Sequence, residues 1–90
     1  MDFEDEVLKK VPKEKQAELA IEFGMLLSFI RENKIKDKDQ LNELLDSEIE
    51  KCRSLLSKSA TISTMSRIRR EYVKKLQYLN VMKDIVERYL

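Results

Sequence analysis

The sequence predicts an all-α protein, a small antiparallel helical bundle of three to four helices with a long C-terminal helix. Three observations carry that expectation. The 90-residue chain holds one Gly and one Pro, which leaves little of the turn chemistry that hairpins and sheets require. Lys, Glu, Leu and Arg are abundant, and all are good helix formers. The apolar residues recur at spacings of three and four rather than two. An apolar fraction of 42% is ordinary for a folded chain despite 39% charged residues, so residues 1–90 read as one helical domain near the lower size limit for an unaided core.

Phe3, Val7, Leu8 and Val11 fall at helical spacing and predict a short amphipathic helix over residues 2–11. Pro12 ends it, because proline pushes the preceding Val11 out of the α region and suits the first turn of a following helix. That second helix is expected to run to Glu32 or Asn33. Leu19, Phe23, Leu26 and Ile30 form one stripe on it, and Ala20, Ile21, Met25, Leu27 and Phe29 fill much of the remaining circumference. A segment apolar on most sides is expected at the centre of its bundle. Gly24, which costs roughly 1 kcal/mol relative to Ala in a helix interior, predicts another helix crossing closely there.

The polar run Asn33 to Asp39 is a loop. Asp37 followed by Gln40 makes a capping box, so the third helix begins near Lys38. Leu41, Leu44, Leu45, Ile49, Cys52, Leu55 and Leu56 give it a regular inward face, with Cys52 as a small buried residue. Ser57 to Ser66 is rich in hydroxyl side chains that compete with helix backbone. A break is expected there, with Ser59, Thr61 or Ser63 as N-cap. The last helix then runs from about Ile62 to the C-terminus, long enough to bend near Asn80 or to project beyond the body.

Composition excludes much chemistry. There is no His, the commonest general base and metal ligand. One Cys builds neither an internal disulfide nor a structural zinc site, and one Gly makes no phosphate-cradling loop. No catalytic residue, metal site, cofactor or small-molecule substrate is expected, and the reading is non-enzymatic. The acidic start Asp2-Phe3-Glu4-Asp5-Glu6 is the reverse of a signal peptide's basic one, and no apolar run is long enough to span a bilayer. No membrane association is expected, and the cytoplasm is the expected location.

Charge is the most informative feature. Residues 51–75 carry eight basic side chains against Glu71 alone, inside a chain whose formal net charge is +1. Residues 1–50 are correspondingly acidic, so the near-neutral total hides a polarised molecule whose local field steers partners. Arg67, Arg70 and Lys74 share one helical face, and Lys51, Arg53 and Lys58 lie across the Ser/Thr-rich turn. Together they form a candidate surface for phosphates or for an acidic partner. Glu14, Glu18 and Glu22 form an acidic stripe of matching period on the second helix. If the two stripes meet, the charge orients the bundle; if they do not, the basic one is free to hold a partner.

The last helix carries a second candidate. Met65, Ile68, Tyr72, Leu79, Met82, Val86 and Tyr89 alternate at three and four, and Val73, Leu76, Val81, Ile85 and Leu90 lie to one side. Two apolar faces mean that the helix is wrapped by its own chain or that its distal half waits for a partner. Tyr78, Met82, Ile85, Val86 and Tyr89 are the candidate contact residues. The expectation is a helical protein-interaction module, an adaptor or accessory subunit of a larger complex, binding another protein or itself through the C-terminal helix. The alternative is a nucleic-acid-associated protein that contacts phosphates through the basic segment.

The order Val11-Pro12 before an apolar helix, then Leu44-Leu45-Asp46-Ser47-Glu48-Ile49-Glu50-Lys51-Cys52-Arg53 and Arg67-Ile68-Arg69-Arg70, resembles the helical domain of GINS-type replication subunits. The resemblance spans about half of the chain, omits the small β domain that those subunits usually carry, and transfers no residue roles.

Overall fold

The computed structural model describes residues 2–59 and 66–90, which form five helices: α1 Phe3–Lys10, α2 Lys13–Glu18, α3 Ala20–Glu32, α4 Lys38–Ser59 and α5 Ser66–Tyr89. The all-α class and the long C-terminal helix are as the sequence predicts. The helix expected over residues 12–32 is instead divided at Leu19, whose φ of −110° and ψ of 40° interrupt it. Main-chain bonds from Leu19 to Lys15 at 2.9 Å and from Phe23 to Leu19 at 2.7 Å persist across the break, so the axis bends there and the chain does not reverse.

Each boundary has a local cause. The Asp2 carboxylate accepts from the Asp5 amide at 3.0 Å and caps α1, while Lys9 and Lys10 complement the dipole at its far end. Val11 leaves the helix in an extended conformation (φ −85°, ψ 123°) ahead of Pro12. Gln16 on α2 then donates from Nε2 to the carbonyls of Leu8 and Val11, both at 2.9 Å. One amide group thereby satisfies acceptors left over at the end of α1.

α3 ends in a Schellman motif. Lys34 adopts φ 52°, the Ile35 amide donates to the Ile30 carbonyl at 3.0 Å, and the Lys34 amide donates to Arg31 at 3.3 Å. Ile30 and Ile35, the pair that meets across this motif, are both buried. The expected cap of α4 is present: the Gln40 amide donates to the Asp37 carboxylate at 2.8 Å. The Gln40 side chain reaches back to the Lys36 amide at 3.0 Å, one residue earlier than a standard capping box. Of the three candidate N-caps for the last helix, Ser59 closes α4, and Thr61 and Ser63 lie outside the described residues.

α4 and α5 run antiparallel in a fixed register. Lys83 bonds the Asn42 side chain at 2.8 Å and pairs with Asp46 at 3.0 Å; Lys75 pairs with Glu48 at 3.5 Å. Further out, Arg69 donates to the Leu56 carbonyl at 3.0 Å. The core lies towards one end of this pair. α4 contributes Leu41, Leu45, Ile49 and Cys52, and α5 contributes Leu79, Met82, Ile85 and Val86. Phe3, Val7 and Val11 cover it from α1, and Phe23, Leu26 and Ile30 from α3.

Between Cys52 and Leu79 none of residues 53–58 and 67–78 is buried. The outer halves of α4 and α5 therefore continue past the buried residues as a two-helix arm, with half-buried Tyr72 and Leu76 packed against the core and Leu56 half-buried further out. The resulting shape is elongated, 47 × 25 × 20 Å. α5 spans 24 residues, on the order of 36 Å, with no interruption at Asn80. Among the described residues no helix is long and apolar enough to cross a membrane.

Candidate functional site

The arm is where the basic segment lies. Arg53, Arg67, Arg69, Arg70 and Lys74 are exposed on it, together with three large apolar side chains, Leu55, Ile68 and Val73. Burying those three on folding would need a third helix beside the arm, and α1 to α3 pack against the other end of the α4–α5 pair. The sequence produces this by placing its last core residue of α4 at Cys52, seven positions before the helix ends.

The individual cations differ in what they already hold. Lys51 and Lys75 both pair with Glu48, each at 3.5 Å. Arg69 is engaged by the Leu56 carbonyl. The Lys74 ammonium lies 5.9 Å from the centroid of the Tyr78 ring, a cation–π distance. Lys58 has an interaction of its own. Arg53, Arg67 and Arg70 have no hydrogen-bond or ion-pair partner among the described residues.

The acidic stripe does not reach them. Glu18 pairs with Lys15 at 3.0 Å, and Lys15 is held above its ordinary pKa first by that hydrogen bond, then by the Glu18 charge, with a further contribution from Tyr89 and an opposing one from Arg88. α2 therefore sits near the C-terminal end of α5. Arg70 is eighteen residues back along the same helix from Arg88, about 27 Å at 1.5 Å per residue. At that separation exposed charges are largely screened from one another. Among the described residues no ion pair joins Glu14, Glu18 or Glu22 to Arg67, Arg70 or Lys74.

The five apolar candidates on the distal half of α5 fare differently. Met82, Ile85 and Val86 are core residues, at 2%, 1% and 0% exposure, and present no face to a partner. Tyr78 and Tyr89 are half-buried, the first beneath Lys74 and the second packed against the core. The expectation of a free distal half is corrected for a simple reason. α4 covers one apolar face of α5 and α3 packs on another, so two faces are the mark of a helix wrapped by its own chain. The half of α5 that projects is the N-terminal one.

A second surface was not singled out from the sequence. Ala20, Ile21, Gly24, Met25 and Phe29 on α3 line an open groove of about 750 Å³, bounded on its far side by Glu48, Lys75 and Leu79. Ile21 is 66% exposed and Met25 37%, so α3 is not the enclosed central helix that its composition predicts. Gly24 is not a crossing point within the chain either: a Cβ placed there would meet nothing within 4 Å. The signal was present in the apolar residues left over after the Leu19–Ile30 stripe was assigned.

Among the described residues no group of three or more Cys, Asp or Glu side chains is placed to hold a metal ion. Cys52 is a buried free thiol. Comparison with protein-family models, curated proteins and solved structures found no match in any of the three.

Proposed function

We propose that this chain is a non-enzymatic helical interaction module, an accessory subunit that docks through its α4–α5 arm on an acidic surface of a partner protein. The observation that carries this reading is the state of Arg53, Arg67 and Arg70. They stand without partners among the described residues, on an arm that has left the core, interleaved with exposed Leu55, Ile68 and Val73. Arginine and bulky apolar side chains exposed on one arm are the ingredients of a protein–protein contact. A cytoplasmic setting accords with the free thiol of Cys52.

A nucleic acid uses the cations but gives the three apolar side chains little to do, since phosphates contact only charge and hydrogen-bond donors. Stacking platforms for single strands are aromatic, and the described aromatic residues are buried or half-buried. The basic segment alone therefore favours either partner, and the apolar residues beside it favour protein.

The test is affinity capture from the host cell at low and high salt, with the wild-type chain and with Arg53→Glu/Arg67→Glu/Arg70→Glu. The expected result is an acidic protein recovered by the wild type at low salt and lost with the triple variant, together with no retardation of DNA or RNA. Capture that survives the triple reversal, or retardation of nucleic acid that the reversal abolishes, would overturn the proposal.

A further inference from the structure

Arg70, Val73, Lys74 and Gln77 stand at i, i+3, i+4 and i+7 on α5, and together with Arg69 they line a shallow open pocket of about 400 Å³ on the arm. We propose, resting on the arm docking described above, that this pocket seats a phosphate monoester carried on a phosphorylated serine or threonine of the partner. The acidic group that the arm recognises is then a phosphate rather than a carboxylate.

Each lining residue has a part in that chemistry. Arg70 and Gln77 have no hydrogen-bond or ion-pair partner among the described residues, so a guanidinium fork and a neutral amide are both available as donors. Lys74 is steadied by its contact with the Tyr78 ring, 5.9 Å from the centroid, which uses the ring face and leaves ammonium hydrogens free to donate. Arg69 is committed to the Leu56 carbonyl and adds positive field rather than a free fork. Val73 is exposed on the same stripe and offers an apolar floor to the carbon stem of the phosphorylated residue.

Charge decides between a phosphate and an ordinary carboxylate. No acidic side chain lines the pocket. Glu71 is the only acid in residues 51–75, and its place in the helical repeat is off the stripe from Arg70 to Gln77. Arg67, Arg70 and Lys74 follow at i, i+3 and i+7, so neighbouring cations repel at the spacings where opposite charges would attract. A carboxylate answers them with one charge and two oxygens. A phosphate brings close to two charges and three acceptor oxygens, enough for two cations and an amide donor at once. The Val73 floor suits one phosphate on a carbon stem and gives a nucleic-acid backbone nothing to contact.

The probe is a short peptide with one phosphoserine between apolar residues, titrated into the isotope-labelled chain and followed by NMR. The Gln77 side-chain amide and the main-chain amides of residues 70–77 are expected to shift and saturate. The same peptide with Glu in place of phosphoserine is expected to bind about tenfold more weakly, and with Ser not at all. Arg70→Gln and Lys74→Gln, both at exposed positions, are each expected to weaken the phosphopeptide about tenfold with helicity unchanged. Arg88→Gln, an equal loss of charge at the far end of α5, is expected to leave binding as it is. Equal affinity for the phosphoserine and Glu peptides overturns the proposal, as does a loss with Arg88→Gln as large as with Arg70→Gln. Tighter binding of a DNA duplex or of phosphatidylserine vesicles through the same residues overturns it too. Phosphatase treatment of host extract before photo-crosslinking from Ile68, which is off the stripe, separates this proposal from the docking beneath it. A crosslink lost on treatment supports both. A crosslink that survives leaves the docking and removes the phosphate, and no crosslink in either extract removes both.

Discussion

Arg69 on α5 donates from Nη1 to the main-chain carbonyl of Leu56 on α4, at 3.0 Å. The bond lies beyond Cys52, where the core has ended, so it joins the two helices of the arm where few apolar contacts do. Arg69→Ala is expected to loosen the arm locally, by about 1 kcal/mol, without lowering global stability by a comparable amount. Hydrogen exchange reads this directly. Amides of residues 53–59 should exchange several-fold faster while those of Leu41 to Ile49 keep their protection.

The separation of the two charge stripes makes a stability prediction of its own. If Arg67, Arg70 and Lys74 stabilised the bundle by pairing with Glu14, Glu18 and Glu22, reversing them would destabilise it. No ion pair joins the two sets among the described residues, so Arg67→Glu/Arg70→Glu/Lys74→Glu should change the unfolding free energy by no more than about 0.5 kcal/mol per site. Urea denaturation at low and high salt checks it, and the salt dependence should be weak for wild type and variant alike.

Lys34 occupies the left-handed position of the α3 Schellman motif at φ 52°, where a side chain carries a steric cost that glycine escapes. Lys34→Gly is expected to stabilise the protein by about 0.5–1 kcal/mol. Thermal or urea unfolding reads the gain as a raised midpoint. The side chain is exposed, so no packing is lost in exchange.

Gln16 joins α2 to the end of α1 by two bonds from one side-chain amide. Gln16→Ala leaves the carbonyls of Leu8 and Val11 without those donors and is expected to cost about 1–2 kcal/mol. Denaturant unfolding measures it, and Gln16→Glu, which keeps the length but removes the donors, should lose a similar amount.

Much of this architecture was legible because its signals are local. Pro12 ends α1, Asp37 and Gln40 open α4, and the leucine spacing from Leu41 to Cys52 marks a buried face; each depends on residues within a turn or two. The break at Leu19 was not legible, since leucine is a good helix former and nothing in its neighbours competes with the helix. The Schellman turn was hidden because a lysine stands where glycine is usual. The larger misreading concerned α5. Its distal half holds the richer apolar pattern, which looks like an unsatisfied surface when the helix is read by itself. Tertiary packing supplies α4 on one side and α3 on the other, which turns that richness into core. The basic segment is plain in the sequence, but only the third dimension shows that its cations ride on an arm and make no ion pair with Glu14 or Glu18 among the described residues.

The central claim is that the projecting arm, not the distal half of α5, meets the partner. Site-specific photo-crosslinking from host cells tests it most directly, with the reactive side chain placed in turn at Ile68 and at Val73 on the arm and at Ala17 on α2, all three exposed. A discrete crosslink to an acidic protein is expected from Ile68 and Val73, none from Ala17, and the arm crosslinks should be lost when Arg53, Arg67 and Arg70 are reversed to Glu. Crosslinks of equal yield from Ala17, or arm crosslinks that persist after the reversal, would contradict it.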